Sequence, residues 1–164
     1  MFEKYPIKSE RLNQLTKSTG LFPDYEPILD EFDSMIAWKQ VGGQKVPEPK
    51  SGLDEEFDAC NDAVDKVKRQ LDDYLDDVKK ATGCKEAKLS QNSKKYRFEI
   101  EVPAKSPLPE DDDFVLTTKL KDKHRYQSEP MRELIEELEV REEELKSALA
   151  PFLRGMFKRF YSFK

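Results

Sequence analysis

The chain has 164 residues, room for one ordinary domain. Charged residues make up 38% and apolar ones 37%, with a mean hydropathy of −0.84, which excludes a large globular core and favours extended helices with much of their circumference in water. A formal charge of −5 excludes a surface that coats nucleic acid throughout, and no apolar run approaches the ~18 residues of a membrane span.

Residues 1–23 are mixed and close on Gly20-Leu21-Phe22-Pro23, a short helix or tail followed by a turn. The opening Met1–Glu10 is polar and charged, without a signal-peptide pattern. From Asp24, the residues Tyr25, Ile28, Leu29, Phe32, Met35 and Ile36 follow helical spacing, with Asp24 as N-cap. This helix is expected to end near Val41, because Gly42-Gly43, Pro47 and Pro49 read as a linker.

The next helix is the clearest. Phe57, Cys60, Val64, Val67, Leu71, Tyr74, Val78 and Ala81 recur at alternating spacings of three and four, an a/d seam over about four heptads. Asp54, Glu55, Glu56 and Asp58 open it and Lys79 and Lys80 close it, as the helix dipole favours, and Gly83 is a C-terminal stop. Cys60 reads as a small seam residue and Cys84 as a partly exposed thiol. Two cysteines without CxxC spacing point to a reducing compartment.

Between Cys84 and Tyr126 the period becomes two. Tyr96, Phe98, Ile100 and Val102 alternate with Lys95, Arg97, Glu99 and Glu101, one half-buried strand. Pro103, Pro107, Pro109 and Glu110–Asp113 form a loop. Phe114, Leu116, Thr118 and Leu120 alternate with Val115, Thr117, Lys119 and Lys121, a second strand. Cys84–Leu89 is a weaker third, and Asn92-Ser93 a hairpin turn. Lys119, Lys121, Lys123 and Arg125 recur at every second residue, which on a strand lines one face with four cations. Residues 84–126 carry ten Lys/Arg against eight Asp/Glu, a net +2, while the rest of the chain is net −7. A local basic edge suits a phosphate backbone, and it equally suits an edge strand guarded against pairing with another sheet. His124, alone beside Lys and Arg, is a poor metal or catalytic group, and Asp111–Asp113 lacks the ligand spacing of a calcium loop.

Ser128 reads as the cap of a last helix with Pro130 in its first turn. Met131, Leu134, Ile135, Leu138, Leu145, Leu149, Phe152, Leu153, Met156 and Phe157 line its apolar face. Pro151 interrupts it at a cost of roughly 3 kcal/mol, so a bend, or two helices meeting there, is expected. The fold class is α+β: a long antiparallel helical stalk bearing a small antiparallel β-sheet at its tip. Its parts are residues 1–83, the first helices; 84–126, the sheet; and 127–164, the returning helix. The seam of 57–81 is expected to pack against helix 131–157, with a homodimeric coiled coil as the alternative.

The segments Tyr96-Arg97-Phe98-Glu99-Ile100-Glu101-Val102-Pro103, Phe114-Val115-Leu116-Thr117-Thr118-Lys119-Leu120-Lys121 and Arg125-Tyr126 resemble the clamp of MutS-type mismatch-repair proteins. Phe22-Pro23-Asp24, Gly52-Leu53-Asp54-Glu55-Glu56-Phe57-Asp58, Thr82-Gly83-Cys84 and Phe157–Phe163 look like the eukaryotic sixth-homologue branch of that family. The resemblance implies lever helices, a clamp that grips double-stranded DNA through its phosphate backbone, and coupling to a distant ATPase domain. It also implies the second MutS homologue as heterodimer partner and a nuclear location. The implied DNA-backbone contacts are Asn92, Ser93, Lys94 and Lys95 before the first strand, then Lys119, Lys121, Lys123 and Arg125. Neither a Gly-x-x-x-x-Gly-Lys-Ser/Thr loop nor a Phe-x-Glu triplet occurs, so no nucleotide site, no mismatch-reading wedge, no cofactor and no catalytic residue are expected here. On that resemblance the sequence is a piece of a larger protein. The competing reading is a coiled-coil arm that binds another protein and no DNA.

Overall fold

The structure, a computed structural model, describes residues 9–11, 25–91, 96–109 and 113–162. The chain divides into two units, Met1–Leu53 and Asp54–Lys164. In the first, helix α1 (Glu26–Met35) stops at Met35, and Ile36 is already extended at φ −105°, ψ 131°. The expected continuation to Val41 is replaced by a hairpin. Strand β1 (Ile36–Val41) pairs antiparallel with β2 (Gln44–Pro49), from Ile36↔Pro49 to Val41↔Gln44. The reason is local. Gly42 and Gly43 have φ of +57° and +83°, the two successive positive values that a tight two-residue hairpin turn needs and glycine accepts most readily. Pro47 and Pro49 are tolerated because a two-stranded sheet consists only of edges.

The second unit opens with α2 (Glu55–Thr82), whose Asp54 side chain accepts a 3.0 Å hydrogen bond from the Phe57 amide. Gly83 ends it in the left-handed region at φ +71°. Its buried face is Phe57, Val64, Val67, Leu71, Leu75 and Val78. The heptad seam is thus realised at its centre, while Ala81 is exposed and Leu75 takes much of the place expected of Tyr74.

Helix α3 (Glu129–Ser162) runs through Pro151 as one element, so the expectation of two helices meeting there is not realised. Pro151 cannot donate to the Ser147 carbonyl, but both residues are exposed and water can satisfy that group. The Ser128 hydroxyl accepts a 2.7 Å hydrogen bond from Tyr74, which ties the start of α3 to α2. The helices run antiparallel. Tyr74 meets Ser128, Lys68 lies beside Leu138 and Glu142, and Glu56 and Cys60 lie beside Ala148. Because Ala148 already faces the first turns of α2, the later residues of α3 have no α2 opposite them. Leu149 and Phe152 are accordingly only half-buried, and Phe157 is 58% exposed. The seam of α2 is thus covered within the chain, by α3 and by the sheet.

Four strands form one antiparallel sheet in the order β3-β4-β6-β5: β3 (Lys88–Ser90), β4 (Glu99–Pro103), β5 (Val115–Lys119) and β6 (Lys123–Gln127). Ile100 pairs with Tyr126 and Val102 with His124, and paired residues share a face. Ile100, Val102 and Tyr126 pack into one core with Val64, Val67, Leu71, Val78, Met131 and Leu138. Each fully buried large side chain of this set contributes ~1.5–3 kcal/mol of transfer free energy.

Candidate nucleic-acid interface

The basic segment does not form one strand. Lys119 ends β5, Lys121-Asp122 is a tight turn closed by a 2.9 Å bond from the Leu120 amide to the Lys123 carbonyl, and Lys123–Gln127 returns as β6. The single row of four cations is therefore corrected. Turn and strand break the period, and a bulge between Leu116 and Thr118 shifts the register by one. Lys119 pairs with His124, on the helix-facing side, whereas Lys123 and Arg125 alternate to the opposite, outer face. The sequence misses β6 because Lys123-His124-Arg125-Tyr126-Gln127 holds a single hydrophobic residue, Tyr126, and reads as a charged approach to the helix.

Lys119 and Lys121 are exposed, and among the described residues neither has an ion-pair partner. Their neighbourhood is the end of the sheet beside the end of α2. There the Ala104 amide donates to the Asp122 carbonyl at 3.0 Å, and the Cys84 thiol approaches the Ser106 carbonyl at 3.9 Å. Cys84 is buried rather than partly exposed. Lys85, Lys88 and Lys105 are exposed in the segments that gather around this end. Asn92, Ser93, Lys94 and Lys95, like the acidic residues Glu110–Asp112, lie outside the described residues.

On the outer face the charges pair internally. Glu101 on β4 is 5% exposed and receives three cations: Lys123 at 3.0 Å, Arg125 at 3.0 Å and Lys88 at 3.4 Å. Glu99 is fully buried and lies 3.8 Å from the same guanidinium. The Thr117 hydroxyl, at the bulge, sits within hydrogen-bonding reach of the Glu99 carboxylate and of the Arg125 carbonyl. Burial is the largest single influence on the Glu101 carboxyl and acts to raise its pKa. The hydrogen bonds from Lys123 and Arg125, with the charge of Lys123 and the contact from Lys88, together outweigh it and hold the group below the ordinary carboxylate range. Arg125, with a side chain only 13% exposed, is thus committed to the interior carboxylates. The Lys123 and Lys88 side chains remain 36% and 69% exposed.

One further ion pair ties the sheet segment to α3. Arg97 donates to Glu142 at 2.7 Å, and this contact moves the Glu142 carboxyl down, against burial, which acts to raise it. His124 is buried on the helix-facing side, its ring 6.4 Å from that of Tyr126. Among the described residues no three metal-ligating side chains cluster, and no helix is long and apolar enough to cross a membrane.

Known proteins resemble this chain along nearly its whole length. Residues 52–144 match the family model "MutS family domain IV", a span that begins two residues before the second structural unit. The chain is 26% identical over 154 residues to a probable DNA mismatch repair protein Msh6 of Drosophila melanogaster, covering 92% of this chain and 13% of that protein. It is 29% identical over 162 residues to the DNA mismatch repair protein Msh6 of Gallus gallus, covering 94% of this chain and 12% of that protein. The chain therefore spans about an eighth of the length of these relatives.

Proposed function

The chain belongs to the MutS family through its domain IV, and we propose that its four-stranded sheet is a clamp that holds duplex DNA by the phosphate backbone. The observation that carries this reading is the pair Lys119 and Lys121. They stand exposed and without an ion-pair partner among the described residues, at a turn around which further lysines gather in an otherwise acidic protein. Exposed ammonium groups without an internal counter-ion are free to displace the cations condensed on DNA. Lys123 adds a half-exposed contact, and Asn92, Ser93, Lys94 and Lys95 extend the surface in sequence. Arg125 takes part indirectly, by holding the sheet's outer face together. Contacts of this type position a duplex and carry no base information.

In this reading residues 84–126 are the clamp. Residues 1–83 are the first part of the lever, and α3, within residues 127–164, is its return. The antiparallel pair α2/α3 is the stalk that carries the sheet and couples it to an ATPase domain in another part of a mismatch-repair protein. That protein works in the nucleus as a heterodimer with a second MutS homologue. The test is binding to a short fluorescent duplex at low and moderate salt, with the wild-type chain beside Lys119→Glu/Lys121→Glu. Log affinity should fall with log salt, and the variant should bind more weakly with a shallower slope. Equal binding by both folded proteins would remove the turn from the interface, and salt-independent binding would remove the phosphate contact altogether.

A further inference from the structure

We propose that Lys88 and Lys123 form one oxyanion seat, which takes a single phosphodiester group of duplex DNA beside the Glu101 carboxylate. The inference rests on the clamp reading and names a residue, Lys88, that sequence periodicity does not single out. Lys88 lies on the edge strand β3 and pairs in register with Glu101, which in turn pairs with Arg125. The two strands flanking β4 thus bring three cations to one carboxylate, at 3.0 to 3.4 Å. With Glu99, which only Arg125 approaches, two carboxylates meet three cations, an excess of one positive charge among the described residues of the cluster. The guanidinium cannot present that charge to a ligand, because its side chain is only 13% exposed. The two lysines can. They contact different oxygens of Glu101, Lys88 on Oε1 and Lys123 on Oε2, and are 69% and 36% exposed. Each ammonium has three N–H donors, and one directed at Glu101 leaves two for a ligand. Glu101 itself is a positioning residue: it fixes both lysine side chains on the outer face before a phosphate arrives, which lowers the ordering cost of binding.

The experiment uses the full chain and the same short duplex, with Lys88→Ala, Lys123→Ala, the double variant, and Lys121→Ala alone and combined with Lys88→Ala. Thermal melts confirm that each variant is folded. Lys88→Ala should bind several-fold more weakly at low salt. Removing both Lys88 and Lys123 should lower the salt slope by about 0.9, the value of one phosphate contact. Two separate contacts would lose about 1.8, a result that overturns the shared seat. Lys88→Ala and Lys121→Ala should combine additively, since they serve different phosphates. If Lys88→Ala binds as the wild type does, and instead self-associates, the residue guards an edge strand and the seat is overturned while the clamp reading stands. Absence of binding by the wild-type chain at low salt overturns both.

Discussion

The two faces of β4 are buried almost equally and for opposite reasons. Ile100 and Val102, 0% and 1% exposed, are covered by the helices. Glu99 and Glu101, 0% and 5% exposed, lie on the face opposite and are covered by charged and polar side chains of β3, β5 and β6. The first pair gains from leaving water. The second loses hydration and is compensated, among the described residues, by Arg125, Lys123, Lys88 and Thr117. Burial alone therefore says nothing about which face of this sheet is a core and which is a binding surface. The origin of the burial decides. On β4 itself the face closed by cations keeps charge near its surface, while the face closed by helices carries only Ile100 and Val102.

The sharpest way to break the comparison is to remove the cation both glutamates share. Among the described residues, Arg125→Ala leaves Glu99 without an ion-pair partner and Glu101 with the two lysines, and should cost about 3–5 kcal/mol, the usual loss when one member of a buried pair is deleted. Ile100→Val, a deletion on the other face, should cost only about 0.5–1.5 kcal/mol. Both are read by denaturant unfolding. The contrast sharpens if Glu99, Glu101 and Arg125 are replaced together by apolar residues of similar size. Stability should then return towards the wild-type value, because buried ion pairs rarely outperform well-packed hydrocarbon. A triple variant as unstable as Arg125→Ala would mean that the outer face depends on its charges for its fold.

Acid should separate the faces next. The folded-state pKa of Glu101 lies below its ordinary value. Its contribution to stability is therefore fully present above the usual carboxylate range, near pH ~4.3, and is lost as pH falls through the folded value. Glu142 has the same sign through Arg97. Wild-type stability should decline as pH drops from about 5 to about 3. Glu101→Gln, less stable at neutral pH, should decline less over that interval, while Ile100→Val should run parallel to the wild type. Parallel curves for wild type and Glu101→Gln would show that the carboxylate gains nothing from its three cations.

Much of this was legible in the sequence where one force dominates. The centre of the α2 seam, its acidic opening and its Gly83 stop follow from helical periodicity and the chemistry of helix ends, and the structure has all three. Alternation located β4 and β5, and the family resemblance stands. What could not be read depends on pairing between strands. Glu99 and Glu101 look like the wet face of a half-buried strand until β6 places Arg125 beside them. Strand β6 is hidden because its polar residues are satisfied by partners distant in sequence, and Lys88 is hidden for the same reason. In the first unit, Gly42-Gly43 read as a linker, and the pairing of β1 with β2 makes them a hairpin turn instead.

The smallest expected change in stability belongs to the residues most exposed to a ligand. Lys119 and Lys121 hold no carboxylate among the described residues and fill no core, so alanine at both should alter unfolding free energy by no more than about 0.5 kcal/mol. Their loss should still weaken duplex binding, and more at low salt than at high. Arg125 sits at the other extreme: it holds the fold and contributes little direct contact. If Lys119→Ala/Lys121→Ala destabilised the chain by as much as Arg125→Ala, the division between cations that build the sheet and cations that serve a ligand would collapse. The turn would then be part of the sheet's own structure, and the exposure of its ammonium groups would carry no functional weight.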